Sequence, residues 1–311
     1  MLTIKTHIYI KNINIFIIFF IIRYTIFIIL FVKLILLLVT ICSNNKMLEV
    51  FQKENTYVIG VDEVGRGPMF GRVYAAAVIL PDASLLPDAS LLPDASLLPD
   101  ASLLPDASLF PDASLLPDAS FNHELMKDSK KFTSSKKLKE TADYIKKNCI
   151  AYSIMYQDEK SIDKHNILNA TYKAMHQAIK AVMTTMTTMT TTTTTTTMNY
   201  LILVDGNNFK PLTFYDSKSE SMKEVDTICV VNGDNTYSAI AAASILAKVE
   251  RDNYIQELCL EYPKLNEYYG LSKNKGYGTK QHMDAIKHYG ITQWHRKTFG
   301  LCKTATIIDL C

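Results

Sequence analysis

Three apolar runs in this chain are each followed by an acidic side chain with a glycine within two residues of it. The first run contains Val58, Ile59 and Val61, and its β-branched residues predict a buried strand. The glycines that follow predict that each strand ends where the polar residues begin. The other two runs lie at 200–204 and 230–231. The acids at the ends of the three runs are Asp62 and Glu63, Asp205, and Asp234.

Outside these runs, the pattern predicts one more strand and two helices. Residues 73–80 predict one more strand, whereas 166–182 has a helix period with Asn166 as its N-terminal cap. The expected apolar stripe of that helix is Leu168, Thr171, Met175, Ile179 and Val182. A second helix is predicted over 238–260, with its small apolar residues Ala241, Ala242, Ile245 and Leu246 in close packing. On that helix, Lys248, Arg251 and Asp252 either support a site or form the polar side.

Two low-complexity segments interrupt this pattern. Residues 81–120 repeat Pro-Asp-Ala-Ser-Leu-Leu, and a proline at every sixth position excludes a long helix and interrupts any sheet ladder. A flexible or irregular insertion is favoured over the alternative, a β-solenoid with six-residue rungs. The Thr/Met tract at 183–198 lacks an apolar period and predicts a loop.

The first 46 residues are apolar and basic and contain no acid. No uncharged run among them reaches the roughly 18 residues of a clear transmembrane helix, although 24–42 contains only Lys33. A membrane anchor and a cleaved targeting signal both remain open, and Met47 is an alternative start. We therefore expect a targeting or anchor segment at 1–46, a catalytic domain at 47–301 and a tail at 302–311. The domain has about 200 residues without its insertions, which suits one α/β fold.

Charge and cysteine content narrow the function less than the acids do. The net charge is +2, but lysines cluster at 127–139 and 273–280, as expected either of a solvated face or of a surface that contacts phosphates. The six cysteines show no paired short spacing, which argues against a zinc site or a disulfide framework. A reducing compartment is the default.

The acids at the strand ends predict a metal site. If the strands are neighbours in one sheet, Asp62 and Asp205 lie at the same edge, and their repulsion requires a cation. An oxygen-only set of Asp62, Glu63, Asp205 and Asp234 suits Mg²⁺ or Mn²⁺. Two such ions roughly 4 Å apart could hydrolyse a phosphodiester. The competing interpretation of 62–68 is a solvated surface turn.

Gly65 and Gly67 lack side chains on both sides of Arg66, so a ligand can approach the backbone N–H groups while the guanidinium contacts a phosphate. This favours a nucleic-acid site.

Seven motifs in order resemble those of bacterial-type ribonuclease HII. They run from 57 to 301 outside the insertions, and Lys127 and Phe132 are mild departures from the family pattern. The motifs are Gly60–Pro68, Asp128–Lys131, Leu203–Asn207, Gly233–Asp234, Ala243–Val249 with Arg251 and Asp252, Lys275–Thr279, and His295–Arg296 with Phe299.

The resemblance implies an α/β fold, an RNase H-like mixed β-sheet flanked by helices with a helical C-terminal part. It implies a two-metal Mg²⁺ or Mn²⁺ site whose catalytic ligands are Asp62, Glu63, Asp205 and Asp234. Gly65, Arg66 and Gly67 would recognise the ribonucleotide near its 2′-hydroxyl, and Tyr277 would lie against the sugar. Phosphate contacts would come from Ser129, Lys130 and Lys131, with His295 and Arg296 as weaker candidates.

The implied reaction is cleavage of the RNA strand of RNA–DNA hybrids, and of duplex DNA 5′ to an embedded ribonucleotide, leaving 3′-hydroxyl and 5′-phosphate ends. The resemblance implies a cytoplasmic monomer, whereas residues 1–46 leave organelle targeting and membrane contact open. The alternative from another class is a non-catalytic protein that binds RNA–DNA hybrids. A third possibility is another two-metal nuclease of the same superfold, indifferent to the 2′-hydroxyl.

Overall fold

The computed structural model describes residue 33 and residues 48–53, 56–81, 121–190, 199–216 and 220–310. The expectations for the 1–46 segment, for nearly all of the hexapeptide array and for residues 191–198 lie outside these ranges. The chain divides into a unit at Met1–Met47 and a second unit at Leu48–Cys311. Among the helices in the described ranges, none is long and apolar enough to cross a membrane.

A five-stranded mixed sheet forms the centre of the second unit. Its strands are β1 (Thr56–Val64), β2 (Val73–Ile79), β3 (Ala151–Gln157), β4 (Asn199–Asp205) and β7 (Asp226–Val230), in the order β3-β2-β1-β4-β7. β1 pairs antiparallel with β2 and parallel with β4, and β4 pairs parallel with β7. The side-by-side placement of the first two acid-bearing strands, which the expected metal site required, is therefore present. A separate hairpin consists of β5 (Thr213–Asp216) and β6 (Ser221–Glu224).

Helices cover both faces of this sheet. One face packs against α1 (Ser135–Asn148) and α3 (Ser238–Glu261), and the other against α2 (Glu159–Thr190). Along β2, Ala75 and Ala77 face α2, whereas Ala76 and Val78 face α3, as the two-residue period of a strand requires. The predicted mixed sheet flanked by helices is confirmed.

The helix predicted from 166 has its expected cap, and four of the five residues of its predicted apolar stripe are buried, namely Thr171, Met175, Ile179 and Val182. Asn166 is non-helical (φ 63°), and its side-chain oxygen accepts a 3.0 Å hydrogen bond from the Asn169 N–H. The predicted burial of Leu168 is wrong, since 40% of it is exposed. Ile167, four residues before the buried Thr171, packs on the core instead.

The loop predicted for the Thr/Met tract is wrong as far as Thr190, where α2 ends. Met186 is buried and continues the stripe of Ile179 and Val182. The hydroxyls of Thr184, Thr185, Thr187 and Thr188 each donate to the carbonyl four residues earlier. An already nucleated helix with a buried stripe thus extends through residues of modest helix propensity.

The C-terminal part is helical, as expected. It contains α4 (Pro263–Tyr269), α5 (Leu271–Asn274) and α6 (Lys280–Tyr289). Short 3₁₀ turns lie at His123–Leu125, Ser129–Lys131, Gly233–Asn235 and Gly300–Lys303. Two of these turns, Ser129–Lys131 and Gly233–Asn235, carry residues of the candidate site.

Candidate active site

Three neighbouring parallel strands deliver the four carboxylates to one edge of the sheet. Asp62 and Glu63 lie near the end of β1, Asp205 is the last residue of β4, and Asp234 lies in the 3₁₀ turn after β7. The register pairs Val61 with Val204, so the acids of β1 and β4 directly follow paired positions. The Asp205 carboxylate accepts a 2.7 Å hydrogen bond from the Gly233 N–H, which ties the last turn to this edge.

The carboxylates interact with one another in a poorly solvated setting. Burial raises the pKa of Asp62 well above its usual range, and the charges of Glu63 and Asp205 raise it further. Burial also raises the pKa of Glu63, with Asp205 adding to the effect and Arg66 opposing it. For Asp234, burial is the main cause of a raised pKa, and Asp128 and Asp205 contribute. Such a cluster is more stable with cations near it.

Two cationic side chains lie at the rim of this cluster. The Arg66 guanidinium is 3.1 Å from Glu63 Oε1, and Lys130 Nζ is 3.5 Å from Asp234 Oδ2. Both are substantially exposed, with 50% and 79% of the side chains open to solvent. They are therefore placed to contact a polyanion that approaches the carboxylates. Lys131 donates instead to the Asn235 side chain.

The residues at this edge fit a hard divalent cation by their donor chemistry. Every donor is a carboxylate oxygen, as Mg²⁺ and Mn²⁺ prefer, and the buried Asp62 carries a charge that burial disfavours. In the part of the chain that the structure describes, no three His, Cys, Asp or Glu side chains form a ready-made metal cage.

A pair of serines, one of them missed by the sequence analysis, supports Asp62. The Ser244 hydroxyl hydrogen-bonds the Asp62 carboxylate and lowers its pKa, against the larger effect of burial. Ser129 Oγ lies 3.1 Å from Ser244 Oγ, and both residues are buried. Ser129 was expected to contact phosphate, but its buried position makes it a support for Ser244. The sequence analysis had assigned Ser244 no role, although it lies in the Ala243–Val249 motif.

The Gly65–Gly67 loop and Tyr277 lie side by side next to the carboxylates. Gly65 has φ 91°, and a Cβ there would overlap the Arg251 side chain, so glycine is required. A Cβ on Gly67 would lie 3.6 Å from Tyr277 Cε1, which places the loop against the tyrosine ring. Arg66 and Gly67 are exposed, and Tyr277 is 46% exposed.

The polar residues of α3 separate into two groups. Lys248 and Asp252 pair with each other at 2.8 Å on the helix surface. Arg251 is buried, donates to the carbonyls of Phe70 and Lys275, and packs against Gly65. Only Arg251 of these three therefore supports the loop directly.

His295 and Arg296 do not face the exterior. Both have no exposed surface, so the direct phosphate contacts expected of them are not available from these positions. His295 contacts His282, and Arg296 donates to backbone carbonyls of the loop after β1. Their basic character had suggested phosphate, whereas the tertiary fold places them beneath the loop.

Comparisons with known proteins agree with this geometry. The sequence profile described as ribonuclease HII matches residues 117–302. A ribonuclease HII from Parabacteroides distasonis is 36% identical over 242 residues, covering 78% of this chain and 89% of that protein. One from Pelagibacter ubique is 36% identical over 241 residues, covering 78% and 94%. The ribonuclease H2 crystal structure from Pyrococcus horikoshii has the same fold, with a TM-score of 0.50 at 19% identity, covering 80% of this chain and 96% of the other.

Proposed function

The chain belongs to the ribonuclease HII family, and we propose from this premise that it is an endoribonuclease acting on the RNA strand of RNA–DNA hybrids. We further propose that it cuts duplex DNA on the 5′ side of an embedded ribonucleotide. The observation that carries the proposal is the placement of four carboxylates at one sheet edge, beside a loop in which Arg66 and Gly67 are exposed.

The family is metal-dependent, and the carboxylates of this chain suit that requirement. Asp62, Glu63, Asp205 and Asp234 would hold Mg²⁺ or Mn²⁺ through their oxygens. When bound, such ions supply an activated water and stabilise the leaving oxygen of a phosphodiester. The protein contributes the fixed strand ends, the Ser244 hydroxyl on Asp62 and the burial that excludes bulk water from it.

Substrate selection would come from residues that lie beside the carboxylates and do not bind the metal. The exposed backbone of Arg66 and Gly67 can approach a ribose closely, and Tyr277 offers an apolar ring to the sugar next to it. Lys130 lies within reach of both Asp234 and solvent, so it can contact the nucleic-acid backbone near the cut. Catalysis is thereby assigned to the four carboxylates, and substrate recognition to the neighbouring loop, Tyr277 and Lys130.

A panel of duplexes tests the proposal. We expect the full-length chain with Mg²⁺ or Mn²⁺ to cut an RNA–DNA hybrid and a DNA duplex with one ribonucleotide, leaving a 5′-phosphate on the downstream product. An all-DNA duplex of the same sequence should stay intact, and a chelator should stop all cleavage. Cleavage of the all-DNA duplex at a similar rate would favour a two-metal nuclease of another specificity.

The non-catalytic alternative makes a different prediction for the same protein. A pure hybrid-binding protein would retain the hybrid uncut, and Asp205→Asn would leave its affinity unchanged. The presence of all four acids at one edge favours catalysis, since hybrid binding alone requires no buried acidic cluster.

A further inference from the structure

The buried guanidinium of Arg296 donates hydrogen bonds to the backbone carbonyls of the loop that contains Arg66 and Gly67. Arg296 has no exposed surface, and all five of its N–H donors are used. Nε donates to one carbonyl at 2.8 Å, one terminal nitrogen to two at 3.0 and 2.8 Å, and the other to two at 2.6 and 3.2 Å. The acceptors, in the order of these distances, are the carbonyls of Gly71, Arg66, Pro68, Gly65 and Arg72.

This arrangement determines where the N–H groups of the loop point. The described backbone contains no cis peptide bond, and in a trans peptide the carbonyl and the following N–H point in opposite directions. Because the Gly65 and Arg66 carbonyls point inward to Arg296, the N–H groups of Arg66 and Gly67 point away from it. These are the two exposed residues of the loop, so their donors face the side from which a ligand approaches.

The same segment also holds the backbone of Tyr277 through two histidines. The Thr292 N–H donates to His295 Nδ1, so the ring proton of His295 lies on Nε2. That proton is donated to His282 Nε2 at 3.1 Å, which leaves His282 Nδ1 to donate to the Tyr277 carbonyl at 3.0 Å. All three side-chain contacts are buried or partly buried.

His295 and Arg296 are adjacent, so one rigid segment fixes both the loop and the tyrosine. Arg296 sets the loop from below, and His295 sets Tyr277 through His282. The Arg296 N–H adds a 2.8 Å hydrogen bond to the Met69 carbonyl, which attaches the backbone of this segment to the same loop. The distance between the Arg66–Gly67 backbone and Tyr277 thus depends on three buried residues, His282, His295 and Arg296.

We propose that Arg296 is the positioning residue for ribose recognition: it orients the N–H groups of Arg66 and Gly67 toward the 2′-hydroxyl without touching the substrate. This inference rests on the proposed function. Lysine cannot replace it, because one ammonium has three donors and lacks the planar fork that spans five carbonyls. A displacement of about 1 Å in such a site costs about 100-fold in rate.

The test compares two duplexes that differ only at one sugar, a ribonucleotide or its 2′-fluoro analogue, cut by the full-length chain with Mn²⁺. For Arg296→Lys we expect kcat/KM on the ribonucleotide duplex to fall about 10- to 100-fold. On the 2′-fluoro duplex, which has no 2′-hydroxyl, kcat/KM should fall much less. The ratio of kcat/KM between the ribonucleotide duplex and the 2′-fluoro duplex should therefore become smaller. The Mn²⁺ concentration for half-maximal cleavage should change less than about threefold, because the carboxylates lie on other elements.

The matched control is Ile145→Val in α1, which trims a fully buried side chain away from the loop. It should lower the melting temperature while leaving the substrate ratio unchanged. His282→Gln provides a second variant if Arg296→Lys does not fold, and it should also narrow the ratio by freeing Tyr277. Hydrogen exchange of residues 65–72 should be faster in Arg296→Lys than in the control.

One result would overturn the inference: a substrate ratio that stays unchanged in folded Arg296→Lys and His282→Gln, whether cleavage of both duplexes falls equally, as in a merely destabilised protein, or does not fall. Failure of the wild-type chain to cut the ribonucleotide duplex would instead count against the proposed function, and the exchange measurement would still report whether Arg296 holds the loop.

Discussion

Ser244→Ala is expected to weaken metal-dependent cleavage through Asp62 alone. Ionised Asp62 can only accept hydrogen bonds, so the Ser244 hydroxyl donates to it, and Ser129 must in turn donate to Ser244 Oγ. The substitution removes the donor on Asp62 and leaves the Ser129 hydroxyl without its acceptor. The buried carboxylate then loses one of two hydrogen bonds that lower its pKa, the other being the 2.7 Å bond from the Glu63 N–H.

Two independent estimates give the size of the loss expected in Ser244→Ala. A hydrogen bond to a charged group is worth about 1.5–3 kcal/mol, and Asp62 is only 5% exposed, so little solvent is present to replace it. Loss of a hydrogen-bonding partner behind a metal ligand typically lowers metal affinity or activity by about 10- to 100-fold. Because a factor of ten corresponds to about 1.4 kcal/mol, the two ranges overlap.

The assay is single-turnover cleavage of an RNA–DNA hybrid as a function of Mg²⁺ concentration. For Ser244→Ala we expect the Mg²⁺ midpoint to rise about 10- to 100-fold, with partial recovery of the rate at saturating metal. Ser129→Ala serves as the matched control, because it removes the outer hydroxyl and leaves the Ser244 donor on Asp62. An unchanged midpoint in folded Ser244→Ala would refute the reasoning, and an equally large shift in Ser129→Ala would show that the order of the two hydroxyls is wrong.

Three further predictions concern the loop, the phosphate contact and pH. Gly65→Ala should lower the free energy of unfolding in urea by about 1–3 kcal/mol, because φ is 91° and the new methyl overlaps Arg251; a loss below about 0.5 kcal/mol would contradict this. Lys130→Ala should raise the Kd for a hybrid at moderate salt and reduce the salt slope by about 0.7–0.9, and an unchanged slope would exclude a phosphate contact. Burial lowers the pKa of His282, and burial together with the His282 charge lowers the pKa of His295 well below its usual value. Each histidine therefore takes up its proton at a lower pH in the folded chain than in the unfolded chain, whose histidines are protonated below about pH 6.5. Their stabilisation is therefore present above that pH and is lost on acidification by at most about 1.4 kcal/mol per pH unit for each histidine, and His282→Gln should lose less stability than wild type between pH 7.5 and 5.5.

The hydrophobic pattern was sufficient to place the strand ends and hence the carboxylates. A β-branched run followed by an acid and a glycine marks a strand end locally, and parallel pairing then brings Asp62 and Asp205 together. The cap at Asn166 was predictable for the same reason, because the bond to the Asn169 N–H is local. Features determined by contacts within a few residues, or by the geometry of a parallel sheet, could thus be inferred from the sequence.

The supports beneath the site could not be inferred in this way. Arg296 bonds to carbonyls more than 220 positions earlier in the chain, and nothing in its neighbours distinguishes a buried arginine from one that contacts phosphate. Ser129 and Ser244 are 115 positions apart, and their pairing depends on how α3 packs against the lysine-bearing turn. The error at Leu168 has a similar origin, because the first turn of the helix packs Ile167, and not Leu168, against a cluster that includes Val73 of β2.

The most direct test of the account is metal-dependent cleavage of an RNA–DNA hybrid by the full-length chain and by Asp205→Asn. Asparagine can still accept the hydrogen bond from the Gly233 N–H, so the turn that carries Asp234 should stay in place while one charge is removed from the metal site. We predict cleavage by the wild type with Mg²⁺ or Mn²⁺, and loss of at least about 99% of that rate in a variant that melts within a few degrees of wild type. Equal cleavage by the two folded proteins, or none by wild type at any metal concentration, would contradict the assignment of this strand edge as the catalytic centre.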